Sequence, residues 1–229
     1  MVSRRSIVLL ALGASICALA RPGRAAPTSD IEDWTRQTLG ARNVPAGWQP
    51  YPTPGGHPTY DFLIVEDAGR RALNLKSHGE HSTIAKKVAV DLAATPILEW
   101  SWRVITFPEG ADLRRREKSD ATGHIFVVWP RAPALLRSRL IGYVWDPLLP
   151  VDSVVPSQKT GTVTFVVVRS GPERPPRWHT EQRDVAADYR RIFGEDPGNP
   201  GAVAISIDTN DTRSSAEALI GSILFRSRD

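Results

Sequence analysis

Residues Leu98–Val104 read LEWSWRV, with two tryptophans alternating with Glu99, Ser101 and Arg103. Successive side chains of a β-strand point to opposite faces, so Trp100, Trp102 and Val104 share one face and Glu99, Ser101 and Arg103 the other. A strand that is aromatic on one side and charged on the other covers a core with one face only. The tryptophan face is therefore expected in the interior, and any ligand is expected on the face of Arg103.

Working outward, strand patterns recur at short intervals, near Tyr60–Val65, Ala72–Lys76, Thr83–Val90 and Ile97–Val104. Others follow near Ile125–Trp129, Leu140–Trp145, Thr162–Arg169, Trp178–Arg183, Ala202–Ile207 and Leu219–Phe225. Gly, Pro, Asp and Asn punctuate almost every gap. The intervals are too short for repeated βαβ crossovers. One segment has helical spacing: Val185, Tyr189, Ile192 and Phe193, with Asp184 as N-cap and Gly194 as stop. The pattern predicts an all-β domain of two packed sheets with one short helix. RAPALLRSRL, residues 131–140, reads as a long hairpin loop, and residues 26–59 as a turn-rich arm with a helical turn after Ser29. The sandwich domain is expected over residues 60–229.

The first 25 residues have the order of an export signal: MVSRRS is charged, IVLLALGASICALA apolar, and RPGRAAP ends in small residues. Cleavage after Ala25 or after Ala20 fits, and Arg4-Arg5 leaves both the general and the twin-arginine route open. The expected location is periplasmic or secreted. The chain has 29 Lys+Arg and 25 Asp+Glu, and the signal carries four arginines and no acid, which leaves 25 of each sign. That balance removes the case for a nucleic-acid partner. The lone cysteine, Cys17, lies in the signal, so no disulfide is expected in the mature chain. Nothing after the signal is long and apolar enough to span a membrane.

At TPILEWSWRV, PEGADLRRREKSDATGHIFVVW, IGYVWDPLLPVDSVVPSQKTGTVTFVVVRSG, WHTEQRDVAADYRRIFGEDPG and AISIDTNDTRSSAEALIGSILF, the chain resembles the bacterial family of exported proteins catalogued as domain of unknown function 3047. The likeness covers most of the mature chain. It implies a jelly-roll, galactose-binding-like sandwich as an analogy of fold and carries no catalytic residues with it. The resemblance leads one to expect a second acid beside Asp120, where this chain has Ser119.

Four residues are candidate ligand contacts. Arg103 offers a bidentate fork and Trp145 a stacking ring, and together they are expected to border a groove with Asp120 at its rim. Arg116, in the run Arg114–Arg116, could hold a carboxylate or phosphate, although Glu117 and Asp120 stand ready to neutralise the run. Asp208, Asn210 and Asp211 are hard oxygen donors suited to a structural calcium, but Thr212 and Arg213 break the EF-hand register and turn formation competes. His78, Glu80 and His81 lack the helical zinc-protease spacing. No cofactor is otherwise expected. Glycoside hydrolysis would need two carboxylates across a cleft, drawn from Glu99, Asp120, Glu181 and Asp208. The leading expectation is a non-catalytic exported module that binds a carbohydrate or envelope polymer. An envelope protein–protein interaction module and a polysaccharide hydrolase are the alternatives.

Overall fold

The computed structural model describes residues 28–51, 58–133 and 137–228. The export segment and Cys17 lie outside the described residues. Two antiparallel-rich sheets face each other. The first runs β11 (His179–Asp184), β6 (Ile97–Thr106), β13 (Ser215–Arg226), β4 (Arg70–His78) and β3 (Phe62–Asp67), with β1 (Thr28–Glu32) also paired to β13. The second runs β2 (Gln49–Pro50), β5 (His81–Lys87), β12 (Ala202–Asp208), β7 (Ala121–Trp129), β8 (Arg139–Asp146), β10 (Val163–Ser170) and β9 (Val154–Pro156). Among the described residues only β8 and β10 run parallel. The chain passes repeatedly between the sheets, which makes a two-sheet sandwich of the jelly-roll kind.

All ten expected strands are present, with ends shifted by a few residues. The helix α1 spans Val185–Phe193, its N-cap Asp184 accepts from the Ala187 N–H at 2.8 Å, and Gly194 at φ 70° ends it. The 131–140 segment closes the antiparallel β7–β8 pair, as a hairpin loop should, though residues 134–136 lie outside the described residues.

The interior is aromatic. Trp100 and Trp102 are both 0% exposed and meet edge to face at 5.4 Å. Trp100 stacks on Tyr143 of the opposite sheet. The two faces of β6 are thus divided as the alternation requires.

The N-terminal arm is more deeply built in than its composition suggests. Where a helical turn was expected after Ser29, Ser29 and Asp30 pair with Phe225 and Leu224 in β1–β13. Trp34 is fully buried, stacks on Trp48 at 5.7 Å, and donates from Nε1 to the Gly221 carbonyl. A tryptophan with its N–H satisfied inside the fold outweighs the local turn propensity around it.

A cleft on the outer face of the second sheet

On β7, Ile125, Val127 and Trp129 face the core, which turns His124, Phe126 and Val128 outward. On β12 the same alternation turns Ala204, Ser206 and Asp208 outward. Strand pairing lines these up in rows: Ala85, Ala204, Phe126, Gly142 and Phe165 in one, Thr83, Ser206 and His124 in the next, then His81 beside Asp208. A cleft of about 570 Å³ lies over them.

Its floor is apolar at one end. The Phe126 and Phe165 rings sit 6.0 Å apart over Gly142. A Cβ at Gly142 would lie 2.6 Å from Phe126 and 2.8 Å from Phe165, so only glycine lets the rings close there.

The floor turns polar toward the other end. Thr83 Oγ1 is 2.6 Å from Ser206 Oγ and 2.8 Å from His81 Nε2. His124 Nδ1 lies 2.7 Å from the Thr122 carbonyl, which can only accept, so Nδ1 carries the proton and Nε2 keeps its lone pair. Among the described residues the ring's hydrogen bond is the one at Nδ1, which leaves Nε2 without a protein partner, and the ring stands edge-on to Phe126 at 4.9 Å. Burial pulls both imidazoles down to about 4, and for His81 the Lys159 charge adds to the effect. Both are therefore neutral near pH 7.

Charge is concentrated on one wall. The Lys159 ammonium lies 2.5 Å from Asp211 Oδ2, 3.3 Å from Asn210 Oδ1 and 3.4 Å from Asp208 Oδ2. Behind them Asp120, 2% exposed, accepts from the Asp211 and Thr212 N–H groups and from Thr212 Oγ1, and so fixes the turn after β12. Burial pushes Asp208 up to about 7, with Lys159 opposing and the Asp120 carboxyl assisting.

The structure separates the residues expected to share a groove. Trp145 is 3% exposed on the inner face of β8, donates to the Gly171 carbonyl and packs on Trp102, so it is part of the core and not a groove wall. Arg103 lies on the outer face of the first sheet, held by both oxygens of Asp67 at 2.8–2.9 Å, with Trp178 donating to the same carboxylate. The rest of that face is likewise engaged: Glu99 accepts from Gln182 and Arg226, and a Gly221 Cβ would meet Ser101 and Trp178. Asp120 is a turn anchor away from both. By contrast Arg116, Asp208, Asn210 and Asp211 all line the one cleft.

The calcium donors are occupied by a side chain, because Lys159 stands where their oxygens converge. Among the described residues no group of three or more His, Cys, Asp or Glu is arranged to hold a metal. The cleft-lining carboxyls, Asp208 and Asp211, share one wall, while Glu99 and Glu181 belong to the first sheet. His124, Phe126, Phe165 and Lys159 are not singled out by the sequence, and His81 enters there only beside His78 and Glu80 as a metal candidate. The alternation of His124 and Phe126 against Ile125 and Val127 was the available sign.

The fold and cleft define an all-β sandwich with a ligand-sized groove on one sheet. The profile of the family described as Protein of unknown function (DUF3047) matches residues 46–224, and the chain belongs to that family. No curated protein matches its sequence. Among solved structures, it is similar to the family 11 carbohydrate-binding module of cellulase Lic26A-Cel5E of Clostridium thermocellum (9% identity, 90% of this chain and 97% of that one, TM-score 0.46). It is also similar to a mannan-recognising module, TmCBM27 (14% identity, 89% and 100%, TM-score 0.39). A third is the xyloglucanase domain of NopAA from Sinorhizobium fredii (8% identity, 84% and 99%, TM-score 0.40). Each is a likeness of overall sandwich shape and no more.

Proposed function

We propose that the cleft binds carbohydrate and that the protein is an exported, non-catalytic module for a glycan or envelope polymer. The observation that carries this is His124 Nε2: the acceptor nitrogen of a neutral ring, without a partner among the described residues, set in a floor of aromatic rings. A sugar ring offers both complements, with hydroxyls to donate at its edge and a C–H face to lie on aromatic carbon. The cleft volume falls in the range of small-ligand sites. The hydroxyls of Thr83 and Ser206 extend the polar side of the same floor.

The test is a glycan and envelope-extract binding screen on the chain beginning at Ala26. Binding should fall about tenfold in His124→Phe and in Phe165→Ala. Glycan binding indifferent to both, or none at all, refutes the proposal, as does release of new reducing ends from the bound glycan. Export is checked by intact mass of periplasmic material, which should begin at Ala26 or Arg21. Among the described residues no helix is long and apolar enough to cross a membrane.

A protein-interaction role is favoured by one feature, the exposure of Leu148 and Val151 in the β8–β9 connection and of Val154 at the start of β9. Charged substitutions there should leave glycan binding intact under the first proposal.

A further inference from the structure

The run Arg114–Arg116 is not neutralised evenly. Arg114 donates from Nε and Nη2 to Asp112, both at 2.8 Å. Arg115 donates from Nε to Glu117 at 2.8 Å. Asp120, the third acid that could have answered the run, is committed to the backbone at Asp211 and Thr212. Among the described residues Arg116 is left with one long contact, Nη1 to the Gln158 carbonyl at 3.3 Å. Among the described residues no carboxylate is paired with it.

Arg116 begins the 3-10 turn Arg116–Lys118, is exposed, and lines the cleft. Among the described residues the other charges of the cleft are accounted for internally. Lys159 answers Asp211 and Asp208, and burial keeps His81 and His124 neutral. One guanidinium therefore faces the cleft with most of its planar N–H fork unused. That fork matches a carboxylate held edge-on better than a neutral hydroxyl.

We propose that the glycan taken by this cleft is acidic: a uronate carboxylate docks on Arg116 while the sugar ring lies toward the Phe126–Phe165 floor. This rests on the carbohydrate reading of the site. A sulfate or phosphate ester on a sugar presents similar anionic oxygens, so the test separates the sources.

The experiment is calorimetric titration of the chain from Ala26 with oligogalacturonate, oligoglucuronate and oligomannuronate. Each is paired with its carboxyl-reduced, neutral form, alongside sulfated and phosphorylated oligosaccharides of equal length. At least one oligouronate should bind about tenfold or more tighter than its reduced form. Arg116→Gln should erase that preference, Arg116→Lys should restore part of it, and Arg115→Gln should change nothing. A preference that survives Arg116→Gln overturns the inference, as does equal binding of acidic and reduced forms. Tighter binding of the sulfated or phosphorylated sugar, lost in Arg116→Gln, keeps an anion site but overturns the uronate. Phe165-dependent glycan binding in which the acidic form gains nothing over its reduced form and is unaffected by Arg116→Gln defeats this inference alone. Failure of every sugar to bind defeats the carbohydrate reading itself.

Discussion

Trp102 lies with its ring 5.9 Å from that of Trp145, one from each sheet, so the two tryptophans meet across the interior. Trp100 adds an edge contact at 5.4 Å. Rings of this size dominate the apolar area a core buries. Trp102→Ala is expected to destabilise the fold by about 3–5 kcal/mol, and Trp145→Ala by a similar amount. Urea unfolding measures both, and a midpoint near wild type in either would contradict the placement of that ring.

Arg103 is next to Trp102 in sequence and on the opposite face. Its ion pair with Asp67 is about a quarter exposed on both partners (27% and 29%). Solvent screening limits such a pair, so Arg103→Ala should cost about 1 kcal/mol or less. Glycan affinity should be unchanged, because the cleft lies on the other sheet. A selective loss of affinity in a fully folded Arg103→Ala protein would move the site to the first sheet.

Gly142 sits beneath the contact of Phe126 with Phe165. A methyl group there has to displace one ring or the other, since both would lie under 3 Å from it. Overpacking of this kind costs about 1–3 kcal/mol. Gly142→Ala should lower the melting temperature and weaken glycan binding together, whereas Gly161→Ala, with open space around its Cβ position, should not be overpacked.

Asp208 sets a pH dependence whose sign can be worked out. Its pKa rises from an ordinary 3.8 to about 7 on folding. Between those values the folded protein holds a proton that the unfolded chain has released, so this contribution to stability falls as pH rises through the window. His81 and His124 act in the opposite sense, since their shift from 6.5 down to about 4 makes stability rise with pH over that interval. The two effects overlap, and a difference isolates the first. Asp208→Asn should gain stability relative to wild type as pH increases from about 4 to 7, and then run parallel to it. A constant difference across that range would mean that Asp208 titrates normally.

Lys159 makes a prediction about calcium. Its ammonium already stands among the oxygens of Asp208, Asn210 and Asp211. A divalent ion would have to displace it against like-charge repulsion. Neither calcium nor a chelator should shift the melting temperature. A rise with calcium that saturates would show that the lysine yields.

The ten principal strands were legible because alternation and turn residues coincide in each. The short ones, β1, β2 and β9, were not: TSDIE, QP and VVP have no period of their own, and only their partners β13, β5 and β10 make them strands. Alternation divided Trp102 from Arg103 correctly because one face is apolar and the other polar. It could not assign Trp145, because β8 is apolar on both sides, with Leu140 and Val144 facing outward into a second cluster. The cleft was hidden for a different reason. Thr83, Ser206 and His124 come from three strands far apart in sequence, and only sheet order makes them neighbours. Arg116 was recognisable as a residue, but which of three arginines would remain unanswered depends on where Asp120 is spent.

β13 lies between β6 and β4 and also holds β1, while its Gly221 carbonyl receives Trp34. Every strand it joins is synthesised before it. A nascent chain that has not yet delivered residues 215–226 therefore lacks the seam between the β11–β6 pair and the β4–β3 pair, and leaves β1 unpaired. The centre of the sheet is thus the last part of it to be synthesised, and such distant pairings are slow to form. The first sheet can close only once the segment that bridges its two halves is available.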